Sequence, residues 1–322
     1  RVSAQSRLLE EALLQAGLPY RVYGGMRFYE RAEIKDALAY LRLAVLRDDD
    51  ASFERVINTP PRGIGQRSVD HLRTVARNDR VSLWQAAVTT MRDKTLPARA
   101  LGALDGFLRL IHGLGDGIHG SDLRPAMELA VQSSGLIPHY QKEGGEKGIS
   151  RVENLEELVT AARDFRLDPE VHGELPPLQA FLAHAALEAG ETQAGPNADC
   201  VQLMTLHSAK GLEFGNVFLV GLEEGLFPHQ RSNQDAAQLE EERRLCYVGI
   251  TRARRTLTLT YSQHRRMHGS EYYPRPSRFL SELPVELLSE VRLGGSVSQP
   301  VFNRASARAA EAAANGFRLG QR

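Results

Sequence analysis

Apolar residues at Leu8, Leu9, Ala12, Leu13 and Ala16 recur with helical spacing, so the pattern predicts a helix over 5–16 that Gly17 stops. Leu8, Leu9 and Leu41 are expected in the core. Residues 19–23 read as a short strand closed by Gly24-Gly25. A second amphipathic helix is expected over 30–46, with Ile34, Ala37, Leu38, Leu41, Ala44 and Val45 on one face. From about 28 to 198 the periodicity is almost wholly helical, and no segment reads as a strand. Turn signals interrupt it at Thr59-Pro60-Pro61, 113–120, Gly144-Gly145 and Pro176-Pro177. Trp84, inside this block, reads as packing. Residues 189–198 (AGETQAGPNA) form a polar, glycine-containing linker. Strand signals then return at 201–206, in the apolar run NVFLVGL at 216–222, and in the alternating TLTLTY at 256–261. Between the last two, a helix is expected over 239–252, with Glu240, Glu241 and Glu242 favourably placed at the positive end of its dipole. Beyond about 290 the periodicity fades, and the Ala-rich 305–314 reads as a flexible tail.

This order predicts an α/β fold, a parallel sheet with flanking helices, split by a large all-helical insertion. Sequence-distant halves form one domain when a module is inserted at a surface loop. The expected divisions are 1–27 and 199–290 for the split α/β domain, 28–198 for the helical insertion, and 291–322 for the tail. With 42% hydrophobic and 25% charged residues, the composition is that of an ordinary globular protein. No apolar run approaches the ~18 residues a membrane-spanning helix needs. Cys200 and Cys246 are too few for a disulfide framework or a zinc site, no metal site is expected, and intracellular residence fits best. Net charge is zero, yet residues 251–280 hold seven arginines against one acid, Glu271. Such a stripe either binds phosphates or is an ordinary solvated face, and the composition leaves both open.

Two stretches carry chemistry. VQLMTLHSAKGLEFGNVFLVGL (201–222) sets Thr205, His207, Ser208, Lys210 and Glu213 at or just after a strand end, where open α/β sheets bind ligands. LEEERRLCYVGITRA (239–253) delivers Arg252 at the end of a helix. An arginine on a rigid element can stabilise the charge spreading over a transferring phosphoryl group. Its bland alternative is a salt bridge to the acidic helix start.

TLHSAKGLEF, EEGLFP and EEERRLCYVGITRA, in that order, resemble motifs V and VI of UvrD/Rep/PcrA-type superfamily 1 DNA helicases. YGGMRFYERAEIKDALAYLRL and ENLEEL, earlier in the chain, resemble the same family. The resemblance implies a RecA-like, P-loop-NTPase-type domain 2A split around a helical domain 2B. It implies the C-terminal half of an ATP-dependent 3′→5′ DNA helicase of DNA repair, in a bacterial, cytoplasmic and nucleoid-associated setting. Walker A and B lie in domain 1A of such proteins. No G-x-x-x-x-G-K-[ST] occurs here; Gly144-Gly145-Glu146-Lys147-Gly148 is the nearest approach. The chain alone is therefore expected neither to hydrolyse ATP nor to hold ATP–Mg2+ stably. Its implied partners are single-stranded and duplex DNA, the N-terminal domains 1A and 1B, and mismatch and excision repair proteins.

By resemblance, Arg252 is an arginine finger, Glu213 binds the ribose, and Lys210 lies near the phosphates. Single-strand contacts are implied at Arg1, Ser3, Thr205, His207, His229 and His268. Ser3 stands where relatives carry asparagine, and His268 where they carry a larger stacking ring, which stacks more extensively. Gly215 replaces a proline after KGLEF and is expected to loosen a turn. NTPPRGIGQRS (58–68) resembles a helix-hairpin-helix whose glycines let backbone amides approach phosphate. The implied duplex contacts are Thr59, Arg62, Gly63, Gly65 and Arg67. A plain helix–helix turn, a helicase–nuclease subunit of the RecB/AddA kind, and a non-catalytic DNA-binding module are the competing readings.

Overall fold

The computed structural model describes residues 5–190, 198–267 and 270–291. The expectations for Arg1, Ser3, His268 and the tail beyond 291 lie outside the described residues. The described residues divide into two compact units, one of those within 5–205 with 266–271 and one of those within 206–265 with 272–291.

The first unit opens with α1 (Ser6–Gln15) and β1 (Tyr20–Tyr23). The helical body follows: α2 (Ala32–Val45), α3 (Asp50–Val56), α4 (Gln66–Asp79), α5 (Leu83–Asp93), α6 (Ala98–Ile118), α7 (Leu123–Ser133), α8 (Leu136–Glu143), α9 (Gly145–Asp164), α10 (Pro169–His172) and α11 (Pro177–Gly190). Polar side chains start several of these helices. Asp49 accepts from Ser52 N at 3.1 Å ahead of α3, and Ser82 accepts from Gln85 N at 3.3 Å ahead of α5. Each such cap is worth about 1 kcal/mol. Helix α2 is the axis of the core: Ile34, Tyr40, Leu41 and Leu43 are fully buried. Phe53, Leu72, Phe107, Met127, Leu155 and Phe181 from surrounding helices share that core. Burying a side chain of this size stabilises by roughly 1.5–3 kcal/mol. Trp84 packs against the same cluster, with the Arg47 guanidinium 4.9 Å from its ring centre. Strand β2 (Val201–Met204) pairs in parallel with β1, from Tyr20 opposite Val201 to Tyr23 opposite Met204.

One expectation about α1 is overturned. Leu8 and Leu9 are 52% and 36% exposed, while Arg7 and Glu10 are buried. The buried face of α1 is polar because it meets charged partners. Arg7 Nε donates to Glu157 on α9 at 2.7 Å, and its Nη1 donates to both oxygens of Glu11. Glu10 accepts from Phe28 N at 3.1 Å. Arg31 donates to Ser6 Oγ at 2.6 Å and to Asn154 Oδ1 at 2.8 Å, and Asn154 donates to Glu33 at 2.6 Å. Paired and hydrogen-bonded in this way, the charges tolerate burial.

The second unit holds β3 (Phe214–Leu219), α12 (Ala236–Ile250) and β4 (Ala253–Leu259). Strands β3 and β4 are parallel, with α12 in the crossover between them. Leu206, Leu219, Leu222, Phe227, Leu245, Cys246, Phe279 and Leu280 form the core. Gly249 lets α12 approach β3 closely, since a Cβ there would meet Leu219 Cδ2 of β3 at 3.2 Å and Leu206 Cδ2 at 2.8 Å. The short strands β5 (Arg265–Met267) and β6 (Ser270–Tyr272) form a separate two-stranded sheet, and α13 (Arg278–Ser281) follows.

Two further expectations change here. Helix α12 starts three residues before 239, capped by Asp235, which accepts from Ala237 N at 2.8 Å and Gln238 N at 3.3 Å. Glu240 and Glu241 therefore lie beyond the first turn and pair with Arg243 and Arg244, while Glu242 is buried and accepts from Ser232. Gly215 is not in a turn but inside β3, at a register irregularity between Phe214 and Asn216. The Arg255 guanidinium lies against it, 2.9 Å from where a Cβ would stand. A bulge with a glycine gives that approach its room.

The α/β unit also has an acid-sensitive clamp. Glu224 accepts from Arg278 N at 2.7 Å, Nε at 3.0 Å and Nη2 at 2.6 Å. Burial pulls the Glu224 carboxyl up, but the Arg278 hydrogen bonds outweigh it and hold the group below the ordinary glutamate range. A depressed carboxyl stabilises the fold above its unfolded pKa, about 4.3, and that contribution fades as pH falls through the lower folded value. Melting temperature measured as pH falls below about 5 should decline less steeply in Glu224→Gln than in the wild type. Identical slopes would remove the clamp from the account.

Among the described residues, no helix is long and apolar enough to cross a membrane.

Candidate functional site

The loop between β2 and β3 and the junction of α12 with β4 place three expected residues in the α/β unit. Arg252 stands between the end of α12 and the start of β4. Its guanidinium is half-buried and donates to Leu212 O at 2.6 Å, Val248 O at 2.9 Å and Thr251 Oγ1 at 2.9 Å. Phe214 N returns a bond to Arg252 O at 2.9 Å. The arginine is thus fastened to the KGLEF loop, and the acceptors that hold it are carbonyls and a hydroxyl. Glu213 is exposed and pairs with Arg254 at 2.9 Å. Lys210 is exposed in the same loop. Two cations and a carboxylate on one loop edge suit one wall of a nucleotide site: cations for phosphate oxygens, a carboxylate for ribose hydroxyls. Arg254 is the residue that sequence reasoning missed here; its place two positions after Arg252 in an arginine-rich strand was the available signal.

The expected single-strand residues divide between the units. Thr205 follows β2 directly and belongs to the helical unit, while His207 is exposed in the α/β unit. His229 starts a short 3-10 helix over Gln230–Gln234, its Nδ1 accepting from Arg231 N at 3.3 Å. The structure does not place His207 and His229 in contact with one another.

In the helical unit, the Gly63–Gly65 turn joins α3 to α4. Gly63 has φ +85, a conformation side chains disfavour, and neither glycine has any atom within 4 Å of a would-be Cβ. Gly65 leads directly into α4, whose first turn holds no acid, and Arg67 is exposed beside it. That combination leaves open backbone at the positive end of a helix dipole. Thr59 is half-buried, its carbonyl accepting from Tyr40 Oη at 2.7 Å. Arg62 faces inward, against its expected place among the outward contacts. Its guanidinium donates to Val56 O and Pro60 O at 3.0 Å, to Ser134 O at 2.9 Å and to Tyr40 Oη. It also lies 5.6 and 5.7 Å from the ring centres of Tyr40 and Phe107. Asn58, absent from the expected set, accepts from Arg62 N at 2.8 Å and Ile64 N at 3.3 Å and so shapes the turn. An asparagine heading a Pro- and Gly-rich stretch is a turn former, and that was its legible signal.

The family model described as "UvrD-like helicase C-terminal domain" matches residues 1–95 and 78–264, and the chain belongs to that family. It is 55% identical over 322 residues to DNA helicase II of Escherichia coli (strain K12), covering 100% of this chain and 45% of that protein. Against ATP-dependent DNA helicase PcrA of Bacillus subtilis (strain 168) it is 42% identical over 301 residues, covering 90% of this chain and 40% of that protein. The chain thus spans less than half the length of these curated relatives.

Proposed function

We propose that this chain is the C-terminal half of an ATP-dependent 3′→5′ DNA helicase of DNA repair, supplying the arginine-finger wall of the ATP site, part of the single-strand track and a duplex-binding module. The observation that carries the reading is Arg252, held at the α12–β4 junction against the loop that bears Lys210 and Glu213. On this reading the guanidinium fork exchanges its carbonyl acceptors for phosphate oxygens when nucleotide binds. Lys210 adds a second positive charge, and Glu213 would exchange Arg254 for a ribose hydroxyl as its donor. ATP with Mg2+, when bound, supplies the phosphoryl transfer that drives movement. Strand polarity and the repair setting, with its mismatch and excision partners, follow the family.

The split domain is supported by β1 and β2. They pair in parallel across the whole helical body, as strands flanking an insertion would. On this reading β1 and β2 belong with β3 and β4 to one RecA-like domain 2A, and 28–198 is domain 2B. Thr205, His207 and His229, with Arg1, Ser3 and His268, line the single-strand path. Gly63, Gly65, Thr59 and Arg67 meet duplex phosphates, with Arg62 shaping the turn from within.

DNA-stimulated ATP hydrolysis tests the proposal. This chain alone should show no turnover, and mixing it with the N-terminal half should restore it. Turnover by the chain alone would overturn the half-site reading, because it would require a phosphate loop within these residues.

A further inference from the structure

Three potential metal-ligand atoms from two helices of the helical unit meet away from every residue assigned above. Glu11 on α1 and His184 and Glu188 on α11 bring a carboxylate oxygen, an imidazole nitrogen and a second carboxylate oxygen within 4.8 Å of one another. His184 and Glu188 are one helical turn apart, so both project from the same face of α11. His184 Nε2 and Glu188 Oε1 are 3.4 Å apart. Tetrahedral ligands about 2.0–2.1 Å from a zinc ion are themselves roughly 3.4 Å apart, so this pair already has the spacing. The third atom, from Glu11, lies within 4.8 Å of both.

The surroundings suit a cation. All three residues are half-buried. Arg7, beside them, is held by two carboxylates, Glu11 and Glu157. Arg7 Nη1 binds both Glu11 oxygens, at 2.9 and 2.8 Å, which fixes the carboxylate while each oxygen keeps a second lone pair. The His184 ring is set by neighbours, with the Tyr29 ring centre at 6.1 Å and that of Phe165 at 5.5 Å.

We propose that Glu11, His184 and Glu188 form a binding site for a first-row divalent metal ion of the zinc class, with a fourth position left to water. An imidazole with two carboxylates selects such an ion over Mg2+ and Ca2+, which prefer all-oxygen shells. The site needs no cysteine, so the cysteine count was blind to it. Its consequence follows from chain order. Helix α1 leads into β1, α11 is the last helix before β2, and β1 pairs with β2. An ion here ties together the segments by which the chain enters and leaves the helical body.

Equilibrium dialysis of the metal-stripped chain against Zn2+, in excess Mg2+, tests the site directly. One Zn2+ per chain is expected, with affinity at least about 10-fold weaker in His184→Ala and in Glu188→Gln. Zn2+ should also raise the melting temperature of the wild type and leave both variants unmoved, since only the native fold assembles the ligands. The near-isosteric Glu188→Gln keeps the comparison available if His184→Ala fails to fold. No stoichiometric binding by the wild type, or equal binding by the variants through the other histidines, would overturn the site.

Discussion

Arg252→Ala in the full-length protein should lower the maximal rate of DNA-stimulated ATP hydrolysis by about 10³–10⁵-fold, the range an arginine finger supplies. The loss should fall on kcat far more than on KM, because the guanidinium meets charge that develops only as the phosphoryl group transfers. Arg252→Lys should recover little: a single ammonium cannot reproduce a planar fork that reaches two oxygens. The variant will also lose the bonds to Leu212 O, Val248 O and Thr251 Oγ1. Those bonds are partly solvent-screened, so the cost to stability should be only about 1 kcal/mol. A melting temperature close to wild type, beside the large kinetic loss, would separate the chemical role from a folding defect. A kcat within a few-fold of wild type would sink the finger assignment.

Arg62→Ala should strongly destabilise the helical unit. The guanidinium satisfies the carbonyls of Val56, Pro60 and Ser134 and the hydroxyl of Tyr40, between the rings of Tyr40 and Phe107. Truncation strips several acceptors of their donor and leaves a void between two aromatic rings. Together these cost about 3 kcal/mol. In a domain of this size that lowers the melting temperature by roughly 6–12 °C. Because Arg62 N and Ile64 N both bond to Asn58, the change should also loosen the Gly63–Gly65 turn and weaken duplex binding. Arg67→Ala provides the contrast: it should weaken duplex binding and reduce its salt dependence with little change in melting temperature. If Arg62→Ala melts like wild type while duplex binding falls as in Arg67→Ala, then Arg62 faces DNA and not the core.

Local patterns foretold the parts of the fold that depend on local physics. The apolar stripe of α2, the strand runs that became β3 and β4, and the absence of strands through the described helical body all follow from periodicity and turn chemistry. The site was legible in a different way, through the resemblance of long ordered motifs, and the structure gave those residues neighbours. Arg252 illustrates both: its position came from the motif, its fastening to Leu212 O only from the fold. Misreadings arose where a nearby cap or a neighbour distant in sequence outweighed the pattern being read. The start of α12 moved because Asp235 offers a better cap than the acidic run after it. Gly215 became a strand residue because Phe214 and Asn216 on either side of it pair with β4.

What the sequence determined by itself is the set of elements, their order, and the family motifs, since periodicity, caps and motif spacing act within a few residues. Tertiary structure alone decided which face of α1 is covered. Helix α1 carries leucines and charges on different sides, and nothing local says that Glu157 and Asn154, more than a hundred positions along, will bury the charged one. Arg62 likewise reads as a surface cation until Tyr40, Ser134 and Phe107 are folded around it. Glu11 and His184 meet for the same reason. Burial and ligand geometry are properties of pairs of residues, and the pairs that matter here are separated along the chain by more than any local signal can span.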